Sequence, residues 1–416
     1  MRALLVLFVV LRLAQQLAEH VLAAMNRHYA QDRARLAEAG RALQIGEGDM
    51  EKATVYASDR YRFGVVAGWA EVFAQVAFIA FGGLAFAEEG ARVAAEGLGL
   101  GTIGVGLVFF AVLGLLSMLF DLPFALYRTF GIEERHGFNR QTRRGFFLDR
   151  AKGLALAVAL GAPILGLVLW IMGRMGRSWW LWAWAATTAF SLLTAWIYPT
   201  LLAPIFNRFT PLPPGELKDA ILALAQRIGF RTSGLFVMDA SRRTAHGNAY
   251  FTGLLGRKRI VLFDTLLDAM GPSQTVAVLA HELGHFKLHH VRWALLRSVL
   301  VSGVLFYGLS LCLPLEAFYE AFGLGRSPHA ALVVFGVWFS LVAFLLQPLE
   351  NAISRRQEFA ADAFALRSGA TAAELSEALL RLREASHLLP VTHPVYSRVY
   401  HSHPPLLERL RAMGAV

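Results

Sequence analysis

Long apolar stretches separated by short polar ones dominate this chain. Seven of them, at about 3–24, 64–87, 100–126, 153–173, 179–203, 293–317 and 330–350, are long enough to cross a hydrocarbon core of about 30 Å as helices. The first carries Arg12 and Glu19 and has the basic-then-apolar form of a signal peptide, but no small-residue cleavage site follows, so it reads as an anchor. Two longer stretches mix polar and apolar residues. The pattern therefore predicts an all-α membrane protein in four portions: 1–203 with helices one to five and their loops, a polar portion at 204–292, 293–350 with helices six and seven, and a polar portion at 351–416.

Composition agrees with this pattern: 56% of the 416 residues are hydrophobic and 17% charged, too apolar for an ordinary soluble protein. The formal charge of +10 raises the question of nucleic acid, but the basic residues are sorted by membrane side rather than gathered on one motif, so a lipid bilayer is the expected partner and nucleic acid is not. Arg27, Arg33, Arg35, Arg41, Lys52, Arg60 and Arg62 lie between spans one and two, and Arg128, Arg135, Arg140, Arg143, Arg144, Arg150 and Lys152 lie between spans three and four. The other side has Arg2, Arg92, Arg174, Arg177 and Arg326. The rich side is cytoplasmic by the positive-inside rule, which puts both polar portions in the cytoplasm. The single cysteine, Cys312, excludes a disulfide framework and a cysteine-rich metal site. Thirty-five of the 40 basic residues are arginine, which points to a GC-rich bacterial genome and an inner-membrane location.

The chemistry is concentrated in the polar portions. Val276, Leu279, Leu283 and Phe286 recur at helical spacing and place His281 and His285 one turn apart on a common face. Two imidazoles at that spacing reach one tetrahedral Zn²⁺, and Glu282 beside them is placed to take a proton from water. A bare HExxH also occurs on helices that bind no metal, so a third ligand is needed. Glu358, in a helix beginning after span seven, is the candidate, and Asp362 one turn on can accept the remaining ring N–H of a ligating histidine. His289 and His290 turn away from a tetrahedral site if the helix continues, which leaves them supporting or structural parts.

His-Glu-Leu-Gly-His-Phe-Lys-Leu at 281–288, Glu-Phe-Ala-Ala-Asp at 358–362 and Ser-His-Pro-Pro-Leu at 402–406 together resemble the type 1 CAAX prenyl endopeptidases. So do Leu122-Pro123-Phe124, the run Ile132 to Asn139, the run Tyr198 to Leu212, and Asn248-Ala249-Tyr250-Phe251, so that the likeness extends from about residue 55 to the C-terminus. The resemblance implies seven helices around a water-filled chamber, one zinc ion facing inward, and a cytoplasmic, mostly helical metalloprotease domain with a small β-hairpin. It also implies a substrate strand on a β-edge within Arg242 to Phe263, with Asn248 and Ala249 as substrate-binding residues. His403 and Arg409 match polar positions near the metal, where either could stabilise the oxyanion. The implied reaction removes a C-terminal tripeptide from a prenylated cysteine motif.

Three other readings meet the same residues. A general quality-control membrane protease shares the zinc motif but is shorter and lacks the 132–139 motif. An intramembrane protease would set its histidines inside an apolar span. A zinc-binding transporter or scaffold would close its site with a fourth protein ligand and leave Glu282 without a purpose.

Overall fold

The computed structural model describes residues 2–252 and 258–415, so residues 253–257 of the expected substrate segment lie outside it. The chain opens with helices α1 (Arg2–Ala30), α2 (Arg33–Ala42), α3 (Glu47–Ala80), α4 (Gly83–Gly97), α5 (Thr102–Tyr127), α6 (Arg143–Arg174), α7 (Trp179–Ile197) and α8 (Ala203–Phe206). A mixed segment follows with β1 (Phe209–Pro211), α9 (Glu216–Arg227), β2 (Gly234–Met238), β3 (Ala249–Thr252), β4 (Arg259–Phe263), α10 (Asp264–Ala269) and α11 (Pro272–Lys287). The chain continues through α12 (His290–Cys312), α13 (Glu316–Glu320), α14 (Pro328–Arg367), α15 (Ala372–Glu384), α16 (Pro394–Tyr400) and α17 (Leu406–Ala412).

Seven helical segments are long and apolar enough to cross a membrane: Ala3–Ala30, Glu47–Ala80, Thr102–Glu133, Arg143–Arg174, Gly176–Phe206, His290–Cys312 and Pro328–Arg367. They correspond one to one with the seven apolar runs, but several project well past them into polar sequence. The second span differs at its far end. It stops at Ala80 rather than continuing to 87, because Gly82 turns the chain with φ +78°, a conformation that favours glycine, and α4 begins anew. Span seven differs at the other end: Glu358 is not on a fresh helix but on α14 itself, which runs unbroken for 40 residues through Pro348.

Two apolar cores sit at opposite ends of the spans. One gathers Phe8, Ile79, Leu84, Phe109, Val168, Met172, Trp179, Leu309, Phe322 and Val334 from the far ends of the helices. The other lies in the polar portions, where Leu224, Ile260, Leu262, Leu266, Leu279, Leu283, Ala365 and Leu375 pack α9, α11, α14 and α15 against the sheet. Between them the spans bury little. In α14, buried residues occur at His329–Val334 and again at Glu358–Ala365 with none between, and α6 has none between Phe146 and Val168. The middle of the spans therefore carries few buried side chains, as helices arranged around a chamber would.

The sheet has four strands in the order β1-β2-β4-β3. The expected hairpin is present as the antiparallel pair β3–β4, but β2 joins β4 in parallel and β1 joins β2 antiparallel. Ile260, Val261 and Leu262 are buried as a continuous run, as a central strand covered on both faces requires. β3 is left at an edge.

Candidate metal centre and active site

α11 starts where Pro272 follows Gly271, with the Gln274 side chain accepting the Gly271 N–H at 2.6 Å. Its apolar stripe enters the core, and its contact with α14 is made close by Gly284: a Cβ there would lie 3.2 Å from the Ala361 Cα. That approach sets His281 and His285 opposite Glu358 and Asp362.

The three candidate ligands converge. Nε2 of His281 and Nε2 of His285 are 3.3 Å apart, and they lie 3.4 Å and 3.3 Å from the Glu358 carboxylate oxygens. A tetrahedral ion with bonds of about 2.0–2.1 Å holds its ligand atoms about 3.3–3.4 Å apart, so the spacing is that of a metal site. Glu358 Oε2 is buried with no hydrogen-bond partner, which is costly unless a cation meets it. The residues present fit a single divalent metal ion with three protein ligands.

Around them lies a buried set of supporting contacts. His281 Nδ1 is 2.8 Å from Asp362 Oδ1, which leaves Nε2 to face the ion. Arg409 donates to Asp362 twice, through Nε at 2.9 Å and Nη2 at 2.6 Å, and its Nη1 lies 3.6 Å from Glu358. This differs from the oxyanion position expected of Arg409. Its guanidinium is buried behind the ligands and spent on carboxylates, while the substrate side is left to others. His403 reaches the same glutamate from the open side, with Nε2 3.5 Å from Glu358 Oε1 and two-thirds of its side chain exposed.

His290 Nδ1 lies 3.0 Å from His285 Nδ1 and so orients the second ligand as Asp362 orients the first. The sequence left it as a supporting or structural residue with no named partner, because continuous helical geometry directs it away from the ligands. The helix in fact breaks: His289 takes φ +62°, and the chain turns before α12 begins.

Electrostatics follow from burial and neighbours. Burial alone would lower the His281 ring, but the hydrogen bond to Asp362 and the nearby Glu358 carboxylate outweigh it and hold the metal-free ring up at about 9. Glu282 has no hydrogen bond or ion pair among the described residues, and burial raises its carboxyl above the ordinary glutamate range. That shift moves it toward the affinity a general base needs near neutral pH. The inner face of the His403 ring is desolvated against the ligands although its outer face is exposed, and this lowers its affinity for a second proton.

Asn248 and Ala249 sit at the head of the edge strand. Phe263 N–H donates to the Asn248 carbonyl at 3.0 Å, so the backbone groups of Asn248 and Tyr250 turn toward β4 and those of Ala249 and Phe251 turn outward to the open edge. The strand runs beside the metal ligands, since the Phe251 ring is 5.9 Å from Phe286, the neighbour of His285.

Fold and site together define a multi-pass membrane metallopeptidase. Residues 26–208 match the family model described as the CAAX prenyl protease N-terminal region with five membrane helices, and residues 211–416 match that of peptidase family M48. The CAAX prenyl protease 1 homolog of Arabidopsis thaliana is 38% identical over 374 residues, covering 89% of this chain and 88% of that protein. CAAX prenyl protease 1 of Saccharomyces cerevisiae is 37% identical over 334 residues, covering 76% and 73%. The crystal structure of S. mikatae Ste24p superposes with a TM-score of 0.92 at 29% identity, over 98% of each chain. The chain belongs to the type 1 CAAX prenyl endopeptidase family.

Proposed function

We propose that this protein is a zinc metalloendopeptidase that removes short C-terminal peptides from prenylated cysteine motifs. The carrying observation is the triangle of His281, His285 and Glu358 at 3.3–3.4 Å with Glu282 beside it. Two imidazoles and one carboxylate, with no fourth protein ligand among the described residues, suit catalytic zinc, and one ion per chain fills the site. Zinc held there would polarise the scissile carbonyl and bring the pKa of bound water to about 7. Glu282 takes the proton of the attacking water and returns it to the leaving amine. His403 donates from the open side to the oxygen on which charge develops, and Asp362, Arg409 and His290 hold the ligands in place. A substrate strand adds to β3 at Asn248 and Ala249, where the Ala249 carbonyl faces the open edge and the Asn248 side chain, which accepts the Ala249 N–H at 2.8 Å, stands at the head of the strand.

Seven spans arranged around a chamber would accommodate a lipid-bearing substrate, and the relatedness to CAAX prenyl proteases supports one. The sorted arginines support a membrane orientation with the site in the cytoplasm, and the arginine-rich composition supports a bacterial inner membrane, although the relatives named above are eukaryotic.

Two matched peptides test the reading, one farnesylated at a CAAX cysteine and one unmodified, with Glu282→Gln as control. Cleavage confined to the farnesylated peptide by the wild type alone is the expected result. Equal cleavage of both identifies a general membrane-protein protease, and cleavage of neither, or full activity of Glu282→Gln, overturns the assignment.

A further inference from the structure

The motif Ile132 to Asn139 lies on the membrane half of the chain, yet its end reaches the segment that leads into β3. Arg140 N–H donates to the Arg243 carbonyl at 3.2 Å, Ala245 N–H donates to the Phe138 carbonyl at 3.3 Å, and Asn139 and Thr244 form an antiparallel bridge between them. Residues 138–140 therefore make a one-rung strand against residues 243–245.

The parity of these contacts places that strand in a particular lane. On the inner side the carbonyls of even-numbered residues are used: His246 accepts from Thr265 Oγ1 at 2.9 Å and Asn248 accepts from Phe263 N–H at 3.0 Å. The odd-numbered Arg243 and Ala245 bond outward to 138–140, and the odd-numbered Ala249 and Phe251 turn outward to the open edge. Residues 138–140 thus occupy the outer lane of the edge strand, immediately ahead of its free part. Only His246, Gly247 and Asn248 separate Ala249 from the filled stretch.

The blocking strand is held rigidly. Phe138 is buried, stacked on His246 with ring centroids 4.6 Å apart and edge-on to His387 at 4.8 Å. Glu133 accepts from Tyr56 at 2.8 Å and lies 3.9 Å from His246, and its carbonyl accepts the Phe138 N–H at 2.8 Å. On the opposite strand, Arg243 is tied to Asp149 at 2.9 Å and to Asn207 at 3.0 Å. Residues of the membrane helices, Tyr56 and Asp149, thus share with Asn207 and His387 the fixing of this end of the lane.

We propose that residues 138–140 terminate the substrate-pairing lane and so limit the number of leaving-side residues that the enzyme reads. The inference rests on the peptidase reading above. Antiparallel addition is the commoner and stronger pairing, and in that direction the substrate chain beyond the scissile bond runs from Ala249 toward Ala245. It meets Phe138 after about three residues, each spanning about 3.3 Å. Residues farther along must leave the sheet, and their backbones add nothing to recognition.

N-methylation of the substrate backbone, one residue at a time, reads this boundary without altering the enzyme. At the one or two leaving-side positions within the first three that face β3, methylation is expected to lower kcat/KM by about fivefold to tenfold, the loss of one pairing hydrogen bond. From the fourth position onward the effect should be less than about twofold. Phe138→Gly, which removes the ring that holds residues 138–140 against His246 and His387, should free the strand from Ala245 and move the boundary outward, whereas Arg140→Ala, which keeps both the ring and the backbone N–H groups, should not. Sensitivity that continues past the third residue in the wild type, a limit on the acyl side instead, or an unmoved boundary in a folded, metal-retaining Phe138→Gly would each overturn the proposal. Failure to cleave any unmethylated parent peptide, prenylated or not, would overturn the peptidase reading itself.

Discussion

At the scale of single residues, the site separates groups that face substrate from groups that face the ligands, and Arg409 decides where the line falls. Its two hydrogen bonds to Asp362 are buried, so removing it leaves an uncompensated carboxylate next to His281. Arg409→Met is expected to weaken metal binding by about 10- to 100-fold while the turnover of metal-saturated enzyme changes little. Competition with a chromophoric chelator, together with kcat at saturating metal, checks this; intact affinity with a collapsed kcat would return Arg409 to the oxyanion. Spacing alone made His281, Glu282 and His285 candidates, because four residues on a helix is a local geometry, but it did not distinguish a metal site from two solvated histidines. Glu358 and Asp362 were legible only as a pattern that made sense once a third ligand was required. His290 was legible only as a supporting or structural residue without a partner, since the left-handed residue at His289 that brings it to His285 breaks the helical periodicity.

At the scale of elements, one helix joins the bilayer to the chemistry. α14 crosses the membrane and carries Glu358 and Asp362 into the site with no interruption, so its rotational phase is set from both ends. Insertion of one alanine after Ala352 rotates everything beyond it by about 100° and shifts it by about 1.5 Å. Metal retention should fall to the level of His285→Ala while membrane insertion is unchanged; metal analysis of the purified variant measures the first and carbonate extraction the second. Normal metal content in the insertion variant would mean that the ligand helix is not phased by the span. The sequence placed a boundary here because polar residues begin near 351, but hydropathy reports where lipid ends, not where a helix ends. The same distinction explains α3 and α6, which start in charged sequence well before their apolar stretches. The sheet was half legible: Arg259–Phe263 reads as a strand by composition, whereas the parallel partner Gly234–Met238 requires knowledge of long-range pairing.

At the scale of the whole molecule, the charge distribution predicts an orientation that labelling can test. With Cys312 replaced by alanine, single cysteines at Ser178 and Ser386 lie at opposite ends of the ring, the first in the turn before α7 and the second just after α15. In intact cells an impermeant thiol reagent should label Ser178→Cys only, and labelling of Ser386→Cys instead would reverse the topology.

The two separate cores carry a consequence for cooperativity. α14 places buried side chains in both, with Ala330, Ala331 and Val334 in one and Ala365 in the other, and the stretch between them is not buried. Little packing energy couples the ends, so the protein is expected to melt as two calorimetric units rather than one. Chelation should lower only the transition that contains α11, by the free energy of metal binding, and leave the distal one in place. A single endotherm that moves as a whole on chelation would show that the lipid annulus, rather than protein packing, transmits stability along the spans.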